Sequence, residues 1–397
     1  MIDHDAATNR LMRFLGTEGI TGREAAIGHE IATTLNEAGI AKRAMKFDAV
    51  HKEIPVPSES GNLIVTLPGR GSLKAAPRRL FMTHLDTVPL AAGARPKLHS
   101  NKITNDAKTA ALGGDNRTGC AVLVTLAAEL ARHKPDHPPL TLLFTVREES
   151  GMWGARLIDK GLLGGAKIGF NFDGRHANAV VIGAVGADSW RAEITGRAAH
   201  AGGAPERGIS ATLILAEALA AIHRDGWFGK IEKGGRTGTS NVGRVAGHDG
   251  RPAGDATNVV TDYVRVSGES RSHDPQFCKE ITAAYKSAFQ QAAKSVTNAD
   301  GKTGRVKFTA HTVYHAFRLK ETAPVIKRAS AAVEAIGLTP DVRAANGGLD
   351  ANWIVRHGIP TVTFGAGQNE VHTIDEWIDL DQFRRACDLA YTLATAP

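Results

Sequence analysis

Residues 79–86 read R-L-F-M-T-H-L-D. A short apolar run of this kind suits a strand buried on both faces, and it delivers an imidazole and a carboxylate, His84 and Asp86, at its end. The same pattern returns downstream. Residues 140–146 (L-T-L-L-F-T-V) run into Arg147, Glu148 and Glu149. Residues 168–172 run into Asp173 and Gly174, and residues 361–364 lead through a Gly-rich turn to His372. Between them, residues 116–133 carry Ala and Leu at helical spacing behind G-G-D-N, which contains Asp115. Strands alternating with helices predict an α/β domain with a mostly parallel sheet.

Working outward, residues 11–35 read as helical with a break at 19–22, where Thr21 or Gly22 would cap the second piece. Residues 62–67 read as a further strand. After Val185 the character changes: residues 189–195 and 263–267 alternate like half-buried strands and flank helical stretches at 210–223 and 274–293. From about residue 312 the α/β pattern resumes, with a helix at 324–335. A chain of 397 residues also exceeds what one core usually supports. The expected organisation is a catalytic domain, residues 1–186 and 312–397, interrupted by an inserted α+β domain, residues 187–311.

Composition removes several function classes. Hydrophobic residues make up 42% and charged residues 22%, ordinary for a globular chain. The net charge of +7 comes from scattered Lys and Arg, with aromatics at only 6%. It therefore reads as solubility and steering of anionic substrates, not as a nucleic-acid surface. Cys120, Cys278 and Cys387 form no C-x-x-C pair, which fits free thiols in a reducing, cytoplasmic setting. The polar start, with Asp3 and Asp5, lacks a signal-peptide pattern. The longest apolar stretch, 119–131, contains Glu129 and is too short to span a bilayer, so no membrane partner is expected.

Five elements thus bring His84, Asp115, Glu149, Asp173 and His372 to strand ends, where ligand sites gather in open α/β sheets. Zinc takes imidazole nitrogen and carboxylate oxygen, and two ions about 3.5–4 Å apart need a bridging carboxylate. If Asp115 bridges, each ion has three protein ligands. Glu148 is then spare, free to take a proton from water as general base, and Asp86 can orient His84. Each piece alone has a plainer reading: H-x-D as a turn, Asp115 as a helix cap, the Glu pair as solvated surface, Asp173 before Gly174 as a turn. The order in which they occur together is what points to metal chemistry.

The chain resembles the di-zinc exopeptidase superfamily of peptidase T, carboxypeptidase G, aminoacylase and succinyl-diaminopimelate desuccinylase, and the peptidase T-like branch most. The resemblance rests on M-T-H-L-D-T-V-P around His84, G-G-D-N-R-T-G around Asp115, F-T-V-R-E-E-S-G around Glu149 and F-N-F-D-G around Asp173. It continues through G-R-A-A-H-A-G around His200, N-G-G-L-D-A-N from Asn346 and V-H-T-I-D-E at His372. It implies that His84, Asp115 and Asp173 hold one zinc and Asp115, Glu149 and His372 the other. It further implies Glu148 as base, Asp86 as support, and His200 as the group that polarises the scissile carbonyl. Asn258 and Arg271 match positions that bind the substrate's terminal carboxylate or backbone, a task suited to the planar fork of Arg. Gly347 and Gly348 would let backbone approach substrate, although a tight turn explains them equally well.

On the same resemblance the inserted domain is expected to act as a lid and to form a homodimer. Asn116 stands where many relatives carry a second Asp, Leu349 where they have Ser or Thr, and Arg147 where an acidic or small residue is common. The expected function is an exopeptidase cutting a terminal amide of a short peptide, tripeptide aminopeptidase-like, with two divalent ions; zinc fits, and manganese or cobalt also suit mixed N/O ligands. The alternatives are an N-acyl-amino-acid amidohydrolase with the same metals and a non-catalytic peptide-binding relative.

Overall fold

Four strands run parallel at the centre of a nine-stranded sheet, in the spatial order Leu140–Thr145, Arg79–His84, Ile168–Phe172, Thr361–Phe364. The computed structural model to which they belong describes residues 2–254 and 256–397. All six residues of Arg79–His84 and of Leu140–Thr145 are buried. That is why these strands read as unbroken apolar runs: helices cover both faces. The register pairs His84 with Thr145 and Phe364 with Phe172, so the strands end level and their following residues emerge together. Leu63–Leu67 and Met45–Phe47 extend one side antiparallel, and Ala179–Ala184 lies antiparallel to Thr361–Phe364 on the other. Phe81, Phe170, Phe364 and Phe172 form a ring-to-ring chain through the core, with centroids 5.3–6.3 Å apart.

Helix Gly114–His133 crosses this sheet closely. At Gly119 an added Cβ would lie 2.4 Å from the carbonyl oxygen of Phe172 and 2.2 Å from Thr83 Oγ1, so no side chain fits there. Arg117 on the same helix is buried. Its guanidinium donates to the carbonyls of Phe14, Leu85, Thr17 and Gly19, tying the first helix to the residue after His84. The expected helical stretch 11–35 appears as His4–Leu15 and Ala25–Glu37. It starts earlier because Asp3 caps it, accepting from Ala6 N at 3.0 Å. The second helix is preceded by Glu24, not by a cap at Thr21 or Gly22, and Glu24 turns its side chain elsewhere.

The chain divides into two compact units. One holds the chain through Gly183 with Arg318–Ala345 and Leu349–Pro397; the other holds Ala184–Phe317 and Asn346–Gly348. The second unit is a five-stranded antiparallel sheet in the order Gly229–Lys233, Arg236–Ala246, Tyr263–Ser272, Gly186–Thr195, Arg305–Tyr314. Ala211–Arg224 and Pro275–Ser295 pack on it, and Trp190 stacks on Phe308 at 5.6 Å and meets Tyr285 at 4.5 Å. Among the described residues, all three cysteines are free and buried, and no helix is long and apolar enough to cross a membrane.

Candidate metal centre

His84 closes its strand with its ring 2% exposed. Nδ1 meets the main-chain oxygen of Asp86 at 3.0 Å, which leaves Nε2 as the outward donor. That Nε2 lies 3.1 Å from Asp115 Oδ1 and 3.9 Å from Asp173 Oδ2. The other oxygen of Asp115 lies 3.3 Å from Nε2 of His372, and His372 Nε2 is also 3.0 Å from Glu149 Oε2. One carboxylate therefore faces two imidazoles through its two oxygens. Ligand atoms of His84, Asp115 and Glu149 all fall within 4.8 Å of one another.

Local structure frees Asp115 for this. The plainer reading of Asp115 as a helix cap does not hold: Asp115 and Asn116 have non-helical backbone angles at the head of Gly114–His133. Asn116 performs the capping, its Oδ1 accepting from Gly119 N at 2.9 Å. Glu376 grips the turn from outside, accepting from Gly113 N at 2.7 Å and Asp115 N at 3.0 Å. His372 is carried between the short strands Gln368–Asn369 and Trp377–Asp379, with φ of +65°. Asp173 follows its strand directly, its N–H bonded to Phe364 O at 2.8 Å.

Glu148 makes no ion pair among the described residues, whereas its neighbour Glu149 meets His372. Asp86 differs from expectation in detail. Its carboxylate is 3.5 Å from His84 Nδ1, farther than its own main-chain oxygen. Instead it accepts the main-chain N–H groups of Glu148 at 2.9 Å and Glu149 at 3.2 Å.

The electrostatics are those of acids crowded out of water. Burial, with Asp350, Asp173 and Glu149 nearby, raises the Glu148 carboxyl well above its usual range. Burial and Asp115 push Asp173 up to about 8. Asp115 goes the other way: burial alone would raise it, but hydrogen bonds from His372 and His84 hold it low. Hydrogen bonds to Asp115 and Glu149 raise His372 to about 10. His84 is raised despite its burial, by Asp115 and Asp86. This donor set fits divalent cations: mixed imidazole and carboxylate, converging, with one carboxylate placed to be shared.

Three buried acids escaped the sequence reading. Glu376 was inside the quoted V-H-T-I-D-E. Asp350 was inside N-G-G-L-D-A-N; its Oδ2 accepts from the Thr145 hydroxyl, and its Oδ1 has no partner among the described residues. Glu24 had no motif; its Oε1 accepts from Gly22 N at 2.7 Å and Arg147 N at 3.2 Å.

The remaining predicted residues belong to the second unit. His200 is exposed, its Nδ1 accepting from Gly202 N at 3.1 Å and Gly203 N at 3.0 Å. Asn258 is exposed and its main-chain oxygen accepts from Ala201 N. Arg271 pairs with Glu269 at 2.8 Å, and a Cβ on Gly348 would strike the Tyr314 ring at 2.6 Å. Gly347 has open space around it.

A converging set of imidazoles and carboxylates around the parallel strand ends, beside a half-buried spare glutamate, defines a metallohydrolase. The chain belongs to Peptidase family M20/M25/M40, whose profile matches residues 80–396, and it is a metallopeptidase of the peptidase T-like branch. It is 31% identical to the uncharacterized protein YqjE of Bacillus subtilis over 84% of either chain. The crystal structure of aminopeptidase PepT from Bacillus cereus shares 30% identity and a TM-score of 0.82, covering 99% of this chain and 98% of that one. A tripeptidase from Staphylococcus aureus gives 0.87 at 26% identity, over 100% and 98%.

Proposed function

We propose that this peptidase is a dinuclear, zinc-dependent exopeptidase that releases the terminal residue of short peptides, as a tripeptide aminopeptidase does. The observation that carries this reading is Asp115, whose two oxygens face the Nε2 atoms of two different histidines. The similarity to PepT and to a tripeptidase supports the substrate class. His84, Asp115 and Asp173 would hold one cation, and Asp115, Glu149 and His372 the other. Cations there supply Lewis acidity and lower the pKa of water.

The chain's own groups do the rest. Glu148 takes the proton of the attacking water and returns it to the leaving amine nitrogen. Burial, with other acids close by, raises its affinity for protons. Asp86 holds the amides of both Glu148 and Glu149. The family resemblance assigns carbonyl polarisation to His200 and substrate contacts to Asn258, Arg271, Gly347 and Gly348. It also assigns lid and homodimer roles to the inserted unit, and the free thiols fit the cytoplasm.

Protein purified without chelator should carry about two zinc equivalents per chain, by elemental analysis. It should then hydrolyse tripeptides faster than dipeptides or N-acyl amino acids. Preference for N-acyl amino acids would replace this reading with the amidohydrolase; two bound metals with no hydrolysis of any substrate would end it.

A further inference from the structure

We propose that Glu24 is a positioning residue for the general base, clasping the loop that presents Glu148 from a segment that precedes the family match. The inference rests on the functional reading above. Three consecutive main-chain N–H groups, those of Arg147, Glu148 and Glu149, each donate to a carboxylate oxygen. Asp86 takes the last two, and Glu24 Oε1 takes the first, at 3.2 Å. The same Glu24 oxygen accepts Gly22 N at 2.7 Å, so it joins two loops separated by 123 positions.

The surrounding contacts repeat this connection. Thr21 Oγ1 lies 2.8 Å from Ser150 Oγ, and Arg147 Nη1 donates to the same Ser150 oxygen at 3.1 Å. Arg147 Nη2 donates to Pro57 O. Gly22 has φ of +86°, and a Cβ there would fall 2.2 Å from Arg147 Nη2, so the loop lies directly against the guanidinium. Arg147 itself has φ of +55°, a left-handed backbone that a non-glycine residue adopts only when its surroundings impose it. Residue 147 is the pivot from the strand into the base, and a small change in its φ redirects Glu148.

A purely structural role explains Glu24 poorly. It is fully buried, and its Oε2 has no partner among the described residues. A buried carboxyl with one unsatisfied oxygen costs stability that an apolar side chain of similar size would not. What an apolar residue cannot do is hold the Arg147 amide.

The test uses full-length, zinc-loaded protein with Glu24→Ala, Glu24→Met and Glu24→Gln. Hydrogen–deuterium exchange is read at the amides of residues 147–149, and tripeptide kinetics are measured with metal content in parallel. Glu24→Ala and Glu24→Met should speed exchange there about tenfold or more. They should also lower kcat about tenfold to a hundredfold, with KM within about twofold and metal content unchanged. Glu24→Gln, whose amide oxygen still accepts both N–H groups, should restore most of kcat. Leu11→Ala, a core change of comparable stability loss, should leave kcat per folded chain intact. Unchanged exchange at 147–149, or full kcat in Glu24→Met, overturns the proposal. If the wild type cleaves no peptide, the functional reading fails instead, and the exchange result still decides the clasp.

Discussion

Oδ1 of Asp86 accepts the main-chain N–H of Glu148 at 2.9 Å, while the main-chain oxygen of Asp86 takes Nδ1 of His84 at 3.0 Å. One residue thus sets the tautomer of a candidate ligand with its backbone and the base loop with its side chain. Asp86→Asn removes an acceptor from the loop but keeps the main-chain oxygen. We expect kcat to fall about 10–100-fold with zinc content retained. Elemental analysis beside steady-state kinetics checks this, and loss of zinc would show that the carboxylate, not the backbone, orients His84.

Glu148→Gln keeps the size of the side chain and removes its basicity. Zinc binding by calorimetry should stay within about threefold of wild type while turnover falls by about 10²–10⁴. Comparable loss of metal affinity would place Glu148 among the ligands.

Asp115 is the shared group, so Asp115→Ala should cost more than one metal's worth of binding. Added zinc should raise the melting temperature of the chelator-treated wild type and leave that of the variant nearly unmoved. A variant that still binds two equivalents would remove the bridging arrangement.

Burial, then the nearby Asp86 charge, raises Glu24 from its ordinary 4.5 to about 7. Below about pH 4.5 both folded and unfolded chains hold this proton, and its contribution is constant. Between about 4.5 and 7 the unfolded chain releases it and the folded chain does not, so stability falls as pH rises, by on the order of 3 kcal/mol in all. Above about 7 the loss is complete. Urea melts of wild type minus Glu24→Gln should show this slope, because other titrating groups cancel in the difference. A flat difference across that window contradicts it.

At Gly119 a methyl group would meet the backbone of Phe172, which cannot move aside without shifting the strand that carries Asp173. Gly119→Ala should therefore destabilise by about 1–3 kcal/mol or more in urea unfolding. Little change would mean that the helix can slide along the sheet.

The parallel strands were readable in the sequence because a strand buried on both faces leaves an unbroken apolar run, as at residues 79–84 and 140–145. Their chemistry was readable because three of the runs end directly on His84, on Arg147 with Glu148 and Glu149, and on Asp173, while the fourth leads through a Gly-rich turn to His372. The inserted unit was harder. Arg236–Ala246 is mostly Gly, Thr, Ser and Asn, so it lacks the apolar alternation that marked 189–195, and Arg305–Tyr314 keeps Val306 and Phe308 only half-buried against the core. Glu24 and Glu376 were invisible for another reason. A lone glutamate beside a turn reads as solvated surface, and only segments distant in sequence put Glu24 and Glu376 out of water. That Asn116, and not Asp115, caps Gly114–His133 was hidden because capping depends on backbone angles that G-G-D-N does not reveal.

The clasp between Glu24 and Arg147 has a consequence for how the chain is made. Glu24 leaves the ribosome with Arg147 still 123 residues away. At about 5–20 residues per second, about 6–25 s pass before that partner is synthesised. During that interval the Glu24 carboxyl has only the Gly22 amide to hold, so the clasp closes only after the strand Leu140–Thr145 has been made.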